Sequence, residues 1–270
     1  MTESLNQSLL ILALDIAKST SEILVKQRPE NMEVESKSTP VDIVTEMDKA
    51  AERHIVERIK AVRPNDSFLG EEGTALAPDN PSNYKWIIDP IDGTVNFAHG
   101  IPICCVSIGL EKDGKMIAGA VFNPFMNELF FAERGKGAFL NNRPLKVSTN
   151  PNMESACLVT GFPYRWVDVG ADPISVFERF IRLGLPVRRL GSAAIDLCWV
   201  AAGRFDGFWE YNLNPWDIAA GYLIIEEAGG RISNFNGDAY NIYDKQTLAT
   251  NGQIHEQMLE IIKGTGNPKI

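Results

Sequence analysis

The 270-residue sequence predicts an α+β fold of stacked helix and sheet layers. Three observations predict it. Helical periodicity opens the chain, short alternating strands crowd residues 103–131, and strands alternate with helices after residue 150. The first sheet is expected to be mixed and largely antiparallel, the second smaller. A soft boundary near residue 150 separates an N-terminal α+β half, residues 1–150, from a C-terminal α/β half, residues 151–270, the two packed as one unit.

Each element follows from its residues. Leu9, Leu12, Ala13, Ile16, Ala17 and Leu24 recur near helical period, so residues 5–27 form an amphipathic helix that Pro29 ends. Residues 29–40 are polar, carry Lys37 and Pro40, and read as a loop or flap. Thr45 opens a second helix with Asp48 in capping-box position. Met47, Ala51, Ile55, Ile59 and Val62 form its buried stripe, and Pro64 closes it. A strand at Ser67–Leu69 precedes Gly70-Glu71-Glu72-Gly73, and residues 75–83 read as a surface loop. Tyr84–Ile88 is an apolar strand running into Asp89-Pro90-Ile91-Asp92-Gly93-Thr94. Strands Cys105–Leu110, Met116–Phe122 and Glu128–Phe131 are broken by Lys112-Asp113-Gly114 and Asn123-Pro124, and Asn141-Asn142-Arg143-Pro144 marks a turn. Asp172-Pro173 starts a helix that Gly184 stops. A helix over Gly191–Ala202, a strand at Gly207–Tyr211 and a helix from Asn214-Pro215 to Gly229-Gly230 follow.

Composition narrows the function. Apolar residues are 44% and charged residues 23%, values of an ordinary globular chain long enough for a large core. A net charge of −9 argues against a nucleic-acid partner. It also conflicts with an anionic phosphate-ester substrate, unless carboxylates hold divalent cations that invert the local field. The apolar run Leu9–Ala13 is too short for a membrane span, and Glu3 stands where a secretory signal carries positive charge; the expected location is the cytoplasm, with no membrane partner. Cys104, Cys105, Cys157 and Cys198 form no C-x-x-C pair and read as reduced, with Cys104 and Cys105 pointing one thiol to each face of a strand. His54, His99 and His255 lack zinc-ligand spacing.

The chemistry concentrates in Asp89–Thr94. A strand ends in one aspartate, a proline fixes the turn, and a second aspartate follows. This geometry can place the carboxylates of Asp89 and Asp92 and the carbonyl of Ile91 around hard cations such as magnesium. The N–H groups of Gly93 and Thr94 fall at a helix start suited to phosphate. The plainer reading is an Asp-Pro turn followed by an Asx-turn. Glu71 at a strand end offers a third carboxylate and Glu72 a group behind it, or both belong to a solvated turn. Asp217, third residue of a helix capped by Asn214, either complements the helix dipole or reaches a metal, and Asp48 carries the same ambiguity.

Taken together, Lys37–Thr45, Gly70-Glu71-Glu72, Trp86–Phe97, Arg134–Phe139, Gly191-Ser192-Ala193-Ala194, Pro215–Gly221 and Glu226–Gly230 resemble the inositol monophosphatase family, within the lithium-sensitive, metal-dependent phosphatase superfamily. The resemblance runs through nearly the whole chain and implies an α-β-α-β-α sandwich. It implies that Glu71, Asp89 and the Ile91 carbonyl hold a first magnesium and that Asp89, Asp92 and Asp217 hold a second. A third, weaker magnesium would lean on Glu71, and manganese would substitute. Thr94 with Asp48 would orient the attacking water, Glu71 assisting. Gly93 and Thr94 would bind phosphate, and Asp92, Gly191, Ser192, Ala193 and Glu210 the substrate hydroxyls. Lys37 and Glu72 would stand behind the site. A homodimer and lithium inhibition are further family expectations.

The implied reaction is magnesium-dependent hydrolysis of inositol monophosphate by water, since no Ser or Cys has a His–Asp escort. Glu210, matching the inositol-contacting acid, favours that substrate. Histidinol phosphate, fructose bisphosphate and a nucleotide 3′-phosphate are alternatives, as is a non-catalytic regulatory protein on the same fold. Gly73 replaces a small hydroxyl residue common among relatives. Thr160–Trp166 resembles the bacterial branch, so substrate contacts of animal relatives are not carried onto it. Arg188 and Arg189 read as a solvated basic pair, with a subunit contact or the substrate rim as alternatives.

Overall fold

The N-terminal periodicity becomes helix α1, Thr2–Gln27, which buries Leu9, Leu10, Ala13, Ile16, Ala17 and Leu24. The computed structural model describes residues 2–28, 34–36, 43–164 and 172–265. Pro29, Lys37, Pro40 and most of the expected flap lie outside them, as do Arg165 and Trp166. One part of that flap is corrected: Val34–Ser36 forms strand β1, antiparallel to β2 at Ile43–Thr45. The β-branched residues Val34, Ile43, Val44 and Thr45 favour this extended pairing. Helix α2, Glu46–Val62, starts on the expected capping box of Thr45 and Asp48. Ala51, Ile55 and Ile59 are buried, but Val62 is 60% exposed at the last turn, outside the stripe assigned to it.

Strands β3 (Ser67–Gly70), β4 (Ala75–Leu76) and β5 (Tyr84–Asp92) lead into the short helix α3 (Thr94–His99). β4 occupies the start of the expected surface loop. Then come β6 (Cys105–Lys112), β7 (Lys115–Asn123), β8 (Glu128–Glu133), β9 (Gly137–Leu140) and β10 (Arg143–Pro144). These eight strands form one sheet in the order β10-β9-β8-β7-β6-β5-β3-β4, antiparallel except for the β3–β5 pair.

Past residue 150 the elements are β11 (Leu158–Thr160), α4 (Pro173–Arg182), β12 (Val187–Arg188), α5 (Ala193–Ala201), β13 (Gly207–Tyr211), α6 (Pro215–Glu227), β14 (Arg231–Ser233), β15 (Gln246–Thr250) and α7 (His255–Lys263). Their five strands form the smaller mixed sheet, ordered β12-β11-β13-β15-β14.

The layers stack as expected. Helices α1 and α2 cover one face of the large sheet, and α5 and α6 fill the space between the two sheets. Helices α4 and α7 cover the far face of the small sheet, where Phe180 stacks on Trp209 with ring centroids 4.1 Å apart. The central core joins Val121 and Phe130 of the large sheet, Leu197 and Ile224 of the helices, and Phe208 and Ala249 of the small sheet. Two glycines set the spacing there. Gly109 and Gly119 are register partners on β6 and β7. A Cβ on Gly109 would stand 2.7 Å from Ala219 Cβ, and one on Gly119 would stand 2.9 Å from the Ala220 carbonyl oxygen, so helix α6 approaches the sheet backbone closely at this point.

Buried Cys104 and Cys105 belong to the cores on opposite faces of the large sheet, and the four cysteines are free. Among the described residues, no helix is long and apolar enough to cross a membrane.

Candidate active site

Strand β5 delivers the first two acids through an irregular ladder. Asp89 pairs with Ser107 and Asp92 with Cys105, so three steps on β5 match two on β6, a β-bulge. Pro90 has no N–H to give the ladder, which places the break in this segment. The bulge turns the Ile91 carbonyl toward the Thr94 hydroxyl, 3.0 Å away. The Ile91 N–H donates to Asp89 Oδ1 at 3.0 Å, fixing that carboxyl at the turn.

Gly93 follows with φ 89°, the left-handed conformation that costs glycine least, and serves as N-cap of α3. Thr94 is the first helical residue. Its hydroxyl also stands 3.0 Å from Asp48 Oδ1, while Asp48 Oδ2 accepts from both the N–H and the hydroxyl of Thr45. Asp48 therefore caps α2 and holds Thr94 at once. Asn96 donates from its amide to Ile103 O at 2.7 Å and Leu190 O at 2.8 Å, tying α3 to the turn before α5.

Glu71 is placed from behind. The buried Glu52 carboxylate accepts the Glu72 N–H at 2.8 Å and the Thr74 N–H at 3.0 Å, gripping the turn on either side of Gly73. A Cβ on Gly70 would overlap this carboxylate, so a larger residue before Glu71 would displace Glu52 from the turn it holds.

The remaining side chains come from beyond residue 150. Asp217 lies in the first turn of α6 and accepts the Asn214 N–H at 2.7 Å, the capping geometry of the structural reading. Ser192 caps α5. Its hydroxyl donates to Asp92 Oδ2 at 2.6 Å, and the Ala194 N–H reaches the same oxygen at 2.7 Å. Glu210 on β13 packs against Gly161, where a Cβ would overlap its carboxyl.

One cavity of about 370 Å³ collects these groups. Its walls include Glu71, Asp89, Ile91, Asp92, Gly93, Thr94, Gly191, Ser192, Ala193, Glu210 and Asp217, all expected at the site. Asp48 stands behind Thr94, Glu72 enters through its backbone, and Lys37 lies outside the described residues.

The electrostatics are those of crowded acids. Burial first, then the neighbouring charges of Glu71, Asp92 and Asp217, raise Asp89 well above the carboxylate range, and it shares a hydrogen bond with Glu71. Asp217 is raised well above that range by burial first and then by Glu71 and Asp92. Asp92 rises to about 6 through burial, held back by the hydroxyl of Ser192 and the N–H of Ala194. Asp48 rises mainly through burial.

Among the described residues, no three His, Cys, Asp or Glu side chains stand at ligand spacing around one point; Asp92 and Asp217 each turn an oxygen to local donors. The donor chemistry nevertheless fits hard divalent cations. It is all oxygen, four carboxylates and a main-chain carbonyl on one cavity wall, and the acids raise one another as a compensating cation would relieve.

Two further residues line the wall, Arg189 at the rim position left as an alternative and Asp196 with no expectation from the sequence. Arg189, read as half of a solvated pair, lines the cavity and its charge opposes the rise of Glu210, which burial pushes up to about 8. Asp196 is 1% exposed in α5, and its Oδ1 has no hydrogen-bond partner among the described residues. Its place in the first helical turn is worth about 0.3–1 kcal/mol, less than the roughly 1–3 kcal/mol that an unsatisfied buried polar group costs. The signal was present in the sequence: Asp196 is the only charge in the apolar run Ala193–Ala201.

Comparison with known proteins accords with this arrangement. The model of the inositol monophosphatase family matches residues 5–266. Inositol-1-monophosphatase of Synechocystis sp. is 44% identical over 234 residues, covering 86% of this chain and 81% of the relative. Nus factor SuhB of Pseudomonas aeruginosa is 38% identical, covering 95% and 96%. Fructose-1,6-bisphosphatase/inositol-1-monophosphatase of Thermotoga maritima is 40% identical, covering 85% and 86%. The solved inositol monophosphatase of Anabaena superimposes with a TM-score of 0.86 at 36% identity, covering 97% of this chain and 98% of that one. The layered fold is that of a class of phosphatases. The chain belongs to the inositol monophosphatase family.

Proposed function

We propose that this protein hydrolyses inositol monophosphate to inositol and phosphate with magnesium. The observation that carries the reading is the meeting of Glu71, Asp89, Asp92 and Asp217, from three separate segments of the chain, on the wall that also presents the Thr94–Asp48 pair. Glu71, Asp89, Asp92, Asp217 and the Ile91 carbonyl would hold the cations. When bound, these supply charge neutralisation for the phosphate and lower the pKa of water.

The chain's own groups do the positioning. The N–H groups of Gly93 and Thr94 begin a helix and face the phosphate oxygens. Asp48 keeps the Thr94 hydroxyl oriented as the partner of the attacking water and, with Glu71, is the group able to hold its proton. Glu210 and the backbone of Gly191–Ala193 receive the polyol hydroxyls. Phosphoryl transfer needs positioning and charge more than covalent help, which suits a cavity without an escorted nucleophile.

Release of inorganic phosphate from inositol 1-phosphate, measured with and without magnesium, tests this reading; folded protein that releases none in either condition overturns it. Manganese replaces magnesium, and lithium inhibits, in the same assay. Arg189 favours a second reading, in which substrates with another anionic group are accepted. Fructose 1,6-bisphosphate, histidinol phosphate and adenosine 3′,5′-bisphosphate run beside inositol 1-phosphate decide between the two. A homodimer in the cytoplasm is part of the proposal, and light scattering tests the assembly.

A further inference from the structure

Helix α5 contains one acid among apolar neighbours. Ala194, Ile195, Leu197 and Cys198 around Asp196 are buried at 0–1% exposure, and Asp196 itself is at 1%. A buried carboxyl normally has every oxygen bonded. Asp196 Oδ1 has no hydrogen-bond partner among the described residues. The helix dipole returns less than this desolvation costs, so packing gives no reason for the acid.

Its location does. Asp196 lines the same cavity as the catalytic acids, and it feels the charges of Glu210, Asp92 and Arg189. Glu210 is likewise buried, and Gly161 leaves room for its carboxyl. This wall therefore offers two acid acceptors and the donors of one guanidinium. An aryl group gives such a wall no hydrogen bonds, whereas adjacent hydroxyls, each both donor and acceptor, satisfy it.

We propose that Asp196 is a specificity residue, its carboxyl on the cavity wall accepting a hydroxyl of the polyol part of the substrate beside Glu210. The inference rests on the phosphatase reading above and extends it to a residue that the reading does not use. An acceptor set in a nearly sealed wall discriminates strongly, because a ligand lacking the hydroxyl leaves it unsatisfied.

The test compares Asp196→Asn and Asp196→Ala with the unaltered protein on inositol 1-phosphate and on p-nitrophenyl phosphate, which has no polyol hydroxyl. The expected result is at least a tenfold fall in the ratio of kcat/KM for the first substrate to that for the second, carried by KM. The melting temperature of Asp196→Asn is expected to stay level, since burial favours the neutral carboxyl and an amide of the same shape replaces it. An unchanged ratio, or a fall shared equally by both substrates with a lowered melting temperature, makes Asp196 structural and overturns the proposal while leaving the phosphatase reading intact. An unaltered protein that cleaves p-nitrophenyl phosphate but not inositol 1-phosphate overturns the proposal and the inositol reading together.

Discussion

Asp92 and Ser192, one hundred residues apart, are joined by a hydrogen bond of 2.6 Å. It fastens the end of the large sheet to the start of α5, and so fixes the two halves of the cavity against each other. Because the Ser192 hydroxyl also caps α5, its loss acts on both fold and site.

Ser192→Ala is expected to cost about 1 kcal/mol of stability, the usual loss for an N-cap. It should also lower kcat/KM for the phosphate ester about tenfold. Asp92→Asn is expected to retain the fold and lose activity by orders of magnitude. Urea unfolding and phosphate release check both, and near-normal turnover by the Asp92→Asn variant removes the acid from the mechanism.

The Thr94–Asp48 pair predicts a sharper chemical effect. Thr94→Val keeps the shape and removes the hydroxyl that Asp48 orients. Its kcat is expected to fall by about 10²–10⁴, the range of general acid–base assistance. Thr94→Ser should recover most of it. Steady-state turnover with circular dichroism as the fold control separates the two.

Glu52 is predicted to matter through Glu71. Glu52→Gln leaves one of two backbone N–H groups facing an amide NH₂, and Gly70→Ala drives a methyl into the carboxylate. Each is expected to cost about 1–3 kcal/mol. Magnesium affinity measured by calorimetry should weaken about 10–100-fold, as when a group supporting a ligand is lost. Unchanged affinity would separate this turn from cation binding.

His255 supplies a pH dependence away from the cavity. Its ring stands 2.9 Å from both the Ser233 and Thr250 hydroxyls. Burial, then Arg231, pushes its pKa down from 6.5 to about 4. The unfolded chain therefore takes the proton first. The contribution is complete above about 6.5, declines as pH falls, and is fully lost below about 4. The shift limits that loss to about 3 kcal/mol. The raised acids of the cavity act with the opposite sign, so the comparison of His255→Gln with the unaltered protein between pH 7 and 4 isolates it. A urea midpoint that falls as steeply in the variant removes His255 from the effect.

Long periodic segments and the acid motif were legible in the sequence because each declares itself locally. Thr45 with Asp48 announced α2, and Asp89-Pro90-Ile91-Asp92 announced the cavity acids, though the expected turn after Ile88 is a bulge within a strand that runs on to Asp92. What was missed depends on distant neighbours. Glu52 looks like an ordinary surface acid of a helix until the Gly70–Thr74 turn folds over it. Arg189 keeps the exposure of a solvated charge yet also lines the cavity, the rim position its sequence left as an alternative. Strands of two or three residues, such as β1, β4 and β12, are made by their partners more than by their own pattern. Val62 fitted the helical period, but it is the last residue of α2 and stands exposed beyond the core.

The glycines Gly109 and Gly119 define a separation, and they do so by lacking atoms. A methyl group there would act as a wedge beneath α6, tilting the end that bears Asp217 although no cavity residue had changed. Sequence drift at this joint would yield a folded protein with a misaligned acid, and its cause would lie on a strand with no chemistry of its own.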